Sequence, residues 1–273
     1  MNVKVGVIIP SYNQGKYIEK TIQSVIENKQ NVSMDIAVID GGSTDETVEI
    51  IKRYEEHLFF WCSEPDKGQA DAINKGIAAL KECDYYLWLN SDDVYEDACG
   101  VKKIVEYAVE NKYEVCYGLS HFINETGEIL GTYPVEEYSY ENLGKRCFLS
   151  QPSVMFSKKA YLAVGPLNDS LRMCLDYEYW IRLAQKFEFG FIKEFIGATR
   201  MYGDTKTSTM QKTHLEEAIG ILWKYYGDVP MHWLVTKVRT ESNIGILKYI
   251  PARIFMFLLR PFKKKMIKDC INL

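Results

Sequence analysis

The 273-residue chain has no C-x-x-C pair, no G-x-G-x-x-G and no G-x-x-x-x-G-K-[ST] loop. Its seven cysteines, scattered from Cys62 to Cys270, therefore imply reduced thiols and a cytosolic chain rather than a disulfide framework. Lacking both glycine cradles, it must meet any phosphorylated ligand by another device. His57, His121, His214 and His232 offer no spaced zinc pair. No 18 consecutive apolar residues are free of charge, because Arg253 and Arg260 interrupt the one candidate, so no membrane span is expected. The opening MNVKVGVIIPSYN is too short and too β-branched for a signal peptide. A net charge of -4 gives no global attraction to nucleic acid, and none is expected as a partner. The asymmetry is local: residues 248–273 hold seven basic residues and one acid, leaving an acidic body at -10.

What is present is 47% hydrophobic residues, enough for a large core. Through the first 120 residues short β-branched or aromatic runs alternate with helical stripes, predicting an α/β fold with a mostly parallel open sheet and helices on both faces. Strands are predicted at Val3–Ile9, Ile36–Ile39, Leu58–Cys62, Tyr85–Leu89 and Val115–Leu119, and Ser43 is expected to cap the helix that follows the second. Beyond Leu119 the pattern turns mixed: a hairpin at Glu125–Glu128, a strand near Ser153–Phe156, a helix over Asp176–Gln185, and strands at Phe189–Ile192 and Ala198–Met201. C-terminal helices follow. The organisation expected is a catalytic domain over 1–210, with a soft internal boundary near 120, and a helical extension over 211–273.

In an open parallel sheet ligands bind beyond the carboxyl ends of the strands. Here those ends read Pro10-Ser11-Tyr12-Asn13, Asp40-Gly41-Gly42-Ser43, Ser63-Glu64-Pro65-Asp66-Lys67-Gly68 and Asn90-Ser91-Asp92-Asp93. Each alone reads as a wet loop; four on one sheet edge read as a site. A divalent cation, Mn2+ or Mg2+, held by carboxylates can replace a glycine nest by bridging phosphate oxygens. The adjacent Asp92 and Asp93, fixed by an apolar strand, are placed for that, or for capping the next helix.

These segments, with S-E-P-D-K-G-Q-A-D-A-I-N-K-G, W-L-N-S-D-D, Q-P-S-V and L-D-Y-E-Y-W, resemble a family 2 glycosyltransferase with the A-type fold, of the bacterial polysaccharide and O-antigen assembly kind. The resemblance runs from residue 7 to about 209. It implies that Asp40 bonds a nucleotide base, usually uracil, in a pocket lined by Pro10, Ser11 and Tyr12, and that Lys67, Asp71 and Asn74 touch the nucleotide-sugar donor. Asn90, Ser91 and Asp92 match the D-x-D metal motif, with Asp92 and Asp93 as ligands and an amide, Asn90, in place of the first carboxylate. It further implies an inverting transfer with Asp176 as general base, although Asp176 also reads as a helix N-cap. Glu178 is the second choice, and Tyr177 and Trp180 are sugar-stacking or core residues. Many relatives carry a histidine where this chain has Tyr202, which leaves Arg200 or Lys206 to take over its role.

On a helical wheel of Ile250–Lys268, Arg253, Arg260, Lys264 and Lys268 fall opposite Phe255, Leu258, Leu259, Phe262 and Met266, with a kink expected at Pro261. That pattern fits a helix at the inner membrane surface, or one packed on the domain. With the resemblance it implies a cytoplasmic, peripheral enzyme acting on a polyprenyl-pyrophosphate-linked glycan. A nucleotide-sugar-binding protein without turnover and a sugar nucleotidyltransferase are the rival readings.

Overall fold

The computed structural model describes residues 3–203, 209–241 and 252–271, with no side-chain description at 252–255 and 271. Two compact units are formed: residues 1–138, 148–169 and 182–202, and residues 139–147, 170–181 and 203–273.

The first unit is built on β1 (Val5–Ser11), α1 (Ile18–Lys29), β2 (Met34–Asp40), α2 (Thr47–Arg53), β3 (Phe60–Ser63), α3 (Gln69–Ala79), β4 (Tyr85–Trp88), β5 (Val94–Tyr95), α4 (Gly100–Asn111), β6 (Val115–Ile123) and β7 (Ile129–Thr132). After α5 (Tyr140–Leu143), which belongs to the second unit, it continues with β8 (Val154–Ser157), α6 (Lys158–Val164) and β9 (Phe189–Arg200). Strand order is β3-β2-β1-β4-β8-β6-β9-β5, with β7 beside β6. The first four are mutually parallel. Beyond them the sheet is mixed, because β8 runs antiparallel to β4 and β6 while β9 runs parallel to β6. One continuous sheet thus joins both halves of the sequence.

Every residue of β1 is buried, as a central strand requires, and it reads as an unbroken apolar run. Its residues alternate between two faces. Val5, Val7 and Ile9 share a core with Ile22 of α1, Ile51 of α2 and Val101 of α4. Ile8 meets α3 instead: a Cβ at Gly76 would stand 2.4 Å from Ile8 Cγ2, so only glycine lets that helix approach so closely. Each fully buried isoleucine here stabilises by about 1.5–3 kcal/mol. The connection from β1 turns to β2 and β3 on one side and to β4 on the other, which puts the switch point of the winding between β1 and β4.

The two strands predicted at Phe189–Ile192 and Ala198–Met201 are one strand, β9, whose register against β6 slips around Leu119. The charged pair Lys193-Glu194 hid its continuity, and both are exposed there. Ser43 does not cap α2. Its hydroxyl turns back to Asp40, and Asp45 takes the Thr47 N–H instead.

The second unit contains α5, α7 (Leu175–Ala184) up to Ile181, α8 (Gln211–Tyr226), α9 (Met231–Glu241), α10 (Ala252–Leu259) and α11 (Lys263–Ile271). Arg260–Phe262 form a 3-10 turn that breaks the C-terminal helix at the predicted proline. Among the described residues no helix is long and apolar enough to cross a membrane.

Candidate active site

Loops after β1 and β2 are laced together by their own polar groups. Asn13, in the left-handed region at φ 50°, gives its N–H to Ser43 Oγ at 2.7 Å and accepts Thr44 N–H at 2.9 Å. Gln14 N–H reaches Thr47 Oγ1 and Gly15 N–H reaches Asp45 Oδ2. Tyr12 is exposed and the preceding Ser11 is buried. Ser11 Oγ has no hydrogen-bond partner among the described residues. Such an orphaned hydroxyl at a strand end carries a free-energy cost unless something reaches it.

Asp40 is fully buried at the end of β2. Its Oδ2 accepts Gly42 N–H at 3.1 Å, Ser43 N–H at 2.8 Å and Ser63 Oγ–H at 2.6 Å, and Oδ1 accepts the Ser43 hydroxyl. Gly42 makes this turn at φ 84°, which a side chain would oppose. Both oxygens are thus used inside the protein, so the carboxylate expected to read a base here shapes the loop around it.

At the end of β4, Asn90 Oδ1 accepts Gln69 Nε2–H at 2.6 Å and its amide donates to Asp93 Oδ2 at 3.2 Å. Asp93 Oδ1 accepts the Arg200 N–H at 2.8 Å, and only 3% of the residue is exposed. Burial, then the neighbouring Asp92, push its carboxyl well above the ordinary range. Both of its carboxylate oxygens are thus engaged inside the protein. Ser91 is likewise buried. Asp92 is partly exposed, and its Oδ2 accepts the Tyr202 hydroxyl at 2.8 Å.

Arg200 is buried, and its guanidinium serves three backbone carbonyls: Nε–H to Asp92 at 2.7 Å, and one terminal nitrogen to Asn124 at 2.9 Å and Glu125 at 3.0 Å. It also lies over the Tyr17 ring at 5.1 Å, while Tyr17 packs against Tyr202 at 4.9 Å. Arg200 therefore fastens the Asp92 loop to the β6–β7 turn. Lys206 lies outside the described residues.

Asn74 also has its amide engaged within the protein. Its amide donates to Leu167 O and accepts Leu167 N–H, both at 2.9 Å, so it ties α3 to the segment after α6. Asp71 accepts the Lys67 N–H at 3.2 Å and pairs with Lys75, and the exposed Lys67 reaches Asp169 at 3.4 Å. Pro10 is part of β1 and pairs with Ile39. Thus β1, β2 and β4 bring Ser11, Tyr12, Asp40, Asn90 and Asp92 to one sheet edge.

Asp176 belongs to the second unit and sits in the first turn of α7. Cys174 O accepts the Glu178 N–H, which makes Cys174 the cap position and puts Asp176 inside the helix. Its Oδ1 accepts the Tyr177 N–H at 2.7 Å. Part of the side chain still meets solvent, yet burial pushes its pKa up to about 6; Tyr177 N–H opposes the rise and Glu217 adds to it. Glu178 is buried and accepts the Tyr225 hydroxyl. Tyr177 and Trp180 are buried too and belong to the core.

Sequence reasoning missed Tyr17, Gln69, Ser63, Glu125 and Glu217. Gln69 and Ser63 sit inside quoted motifs, so their position was a usable signal. Glu125 and Glu217 act across more than 40 positions, Glu125 by accepting Lys16 and Tyr17, and no local pattern marks them.

An open α/β sheet with polar loops at the ends of its first four strands, three of them carboxylate-bearing, and helices following it is the glycosyltransferase A-type fold. The chain belongs to glycosyl transferase family 2, which it matches over residues 6–162. An uncharacterized glycosyltransferase of Rickettsia typhi is 26% identical over 226 residues, covering 78% of this chain and 68% of the relative. Among solved structures, S. aureus TarS 1-349 in complex with UDP superposes with a TM-score of 0.64 at 14% identity, covering 99% of this chain and 88% of that one. A mannosyltransferase of Pyrobaculum calidifontis in complex with GDP-Man and Mn2+ gives 0.61 at 13% identity, covering 97% and 73%.

Proposed function

We propose that this glycosyltransferase moves a sugar from a UDP-sugar onto a hydroxyl of a polyprenyl-pyrophosphate-linked glycan, with inversion, in bacterial surface-polysaccharide assembly such as that of O-antigen. The observation that carries the reading is the sheet edge itself, where the unpartnered Ser11 Oγ, the Asp40 turn and the Asp92 loop meet at the switch point. TarS was solved with UDP, which supports the choice of nucleotide.

A hydroxyl is a weak nucleophile at neutral pH. Asp176, with one carboxylate oxygen engaged and a pKa near 6, is suited to accept its proton as the oxygen attacks the anomeric carbon. A single base with no covalent intermediate gives inversion. Ser11 and Tyr12 hold the nucleoside end in the turn that Asp40 shapes, with Lys67 and Asp71 at the rim.

Among the described residues no three His, Cys, Asp or Glu side chains cluster as a metal site. The donor set fits a cation in a narrower way: Asp92 offers one partly exposed carboxylate that would hold Mg2+ or Mn2+. Bound there, the ion neutralises charge on the departing diphosphate. The Mn2+ in the Pyrobaculum structure supports this.

The test is UDP release across a panel of UDP-sugars with a lipid-linked oligosaccharide acceptor. UDP appearing only with acceptor supports transfer. Pyrophosphate in its place points to a nucleotidyltransferase, and binding without product to a non-catalytic protein. Asp92→Asn is expected to weaken UDP binding in Mn2+ at least tenfold while leaving metal-free binding within twofold, as read by calorimetry. Equal loss in both conditions contradicts the metal assignment.

The C-terminal helices support a peripheral position at the inner membrane face. Phe257, Leu258 and Phe262 are 72%, 54% and 57% exposed, and Arg260, Lys264, Lys265 and Lys268 are exposed beside them. The 3-10 break alters the expected wheel: Ile267 is buried, and Leu259 and Met266 are partly so. The side chains of Arg253 and Phe255 lie outside the described residues. Each cation near an anionic surface contributes about 1 kcal/mol. Reversing Lys264, Lys265 and Lys268 to Glu is expected to cut cosedimentation with phosphatidylglycerol vesicles at least tenfold. Unchanged cosedimentation removes the membrane contact.

A further inference from the structure

The turn that presents Asp176 is built by a residue 41 positions later in the chain. Glu217 on α8 accepts the Arg172 N–H through Oε1 at 2.7 Å, and the Met173 and Cys174 N–H groups through Oε2 at 2.9 and 2.8 Å. Three successive backbone donors thus converge on one carboxylate. Such donors at a helix start have no intrahelical partner, and an anion that gathers them fixes both the turn and the direction in which the helix leaves it. Hydrogen bonds to an ionised group are about twice as strong as neutral ones.

We propose that Glu217 is the positioning residue for Asp176, holding residues 172–174 so that the first turn of α7 presents its carboxylate in one fixed orientation. This rests on the reading of Asp176 as general base. Contacts elsewhere also join the same helices, among them the Cys174 thiol to His214 O at 3.4 Å and the Tyr225 hydroxyl to Glu178. Neither involves the N–H groups of the turn itself, so packing of α7 on α8 and the setting of Asp176 are separable.

The negative charge of Glu217 has a second effect, since it stands near enough to oppose ionisation of Asp176. Of the neighbouring titratable groups, the buried Cys174 thiol is held neutral by burial, and His214, beside Glu217, has its pKa lowered by burial. Glu178 points to Tyr225. Glu217 is therefore the charge whose removal shifts the titration of Asp176 downward.

Glu217→Gln and Glu217→Ala test this by UDP release from UDP-sugar, with UDP-binding stoichiometry measured to count folded sites. For Glu217→Ala, kcat per binding site falls at least tenfold with donor KM within twofold. For Glu217→Gln, which keeps one acceptor oxygen and folds more readily, kcat falls less and the acidic limb of its pH profile moves to lower pH. A structural role alone lowers the number of binding sites and leaves kcat per site and the limb where they were, which overturns the proposal. Full turnover in Asp176→Asn removes the underlying base assignment instead. An unmoved limb in Glu217→Gln on an enzyme that still depends on Asp176 removes this inference alone.

Discussion

Replacing Asp176 by asparagine is expected to lower turnover by ~10²- to 10⁴-fold and to make the protein more stable at neutral pH. The first effect follows from removing the proton acceptor while keeping shape, so UDP binding stays within a factor of about two. The second follows from the sign of the pKa shift. A carboxyl whose folded pKa of about 6 exceeds its ordinary 3.8 binds its proton more tightly when folded. Its contribution to stability is complete below pH 3.8 and is lost as pH rises toward 6 and beyond. At pH 7.5 the ionised group therefore costs up to about 3 kcal/mol, at roughly 1.4 kcal/mol per pKa unit. Asparagine retains an acceptor for the Tyr177 N–H and carries no charge, so a rise in Tm of several degrees is expected at pH 7.5 and a smaller one at pH 5. A residue serving only the helix start predicts the reverse pattern, full activity and unchanged or reduced stability. The same titration predicts that kcat falls on acidification with an apparent pKa near 6.

Arg200→Met is expected to be the most damaging single change in the first unit. It leaves the carbonyls of Asp92, Asn124 and Glu125 without their donor and removes the positive charge beside the buried Asp93. Breaking a buried charged arrangement from one side costs about 3–5 kcal/mol. Urea unfolding should show that loss, with a large drop in soluble yield. Arg200→Lys keeps the charge but cannot reach three carbonyls with a planar fork, so an intermediate loss is expected. A destabilisation below about 1 kcal/mol for Arg200→Met contradicts the role given to it.

Much of the architecture was legible because period and position carry it. The continuous apolar run of β1 and the Ile18, Ile22, Val25 stripe of α1 each name their own element. Hidden elements were those with no period of their own. β5 is two residues long and exists through pairing with Ala198 and Gly197. α5 is one turn, started by Ser139 Oγ accepting the Asn142 N–H. The site was legible as a set of loops, since chain order and strand ends fix where Ser11, Asp40 and Asp92 must come. What spacing could not reveal is the allegiance of each polar group. Asp92 and Asp93 look equivalent in the sequence, yet one is partly exposed and the other is sealed between Arg200 and Asn90. Asn74 looked like a ligand contact and is a clasp on Leu167. Such differences depend on partners brought by the fold from far along the chain.

The buried thiols of this reduced chain give it an internal clock. Cys116 is inaccessible in the middle strand region, and burial raises its pKa to about 12, while Cys83 is raised to about 11. Only the thiolate reacts with iodoacetamide, so both sites stay silent until the sheet opens. Cys62, Cys99, Cys147 and Cys270 are partly accessible and should be alkylated first. The rate at which mass spectrometry detects a label on Cys116 then reads the population of the opened sheet.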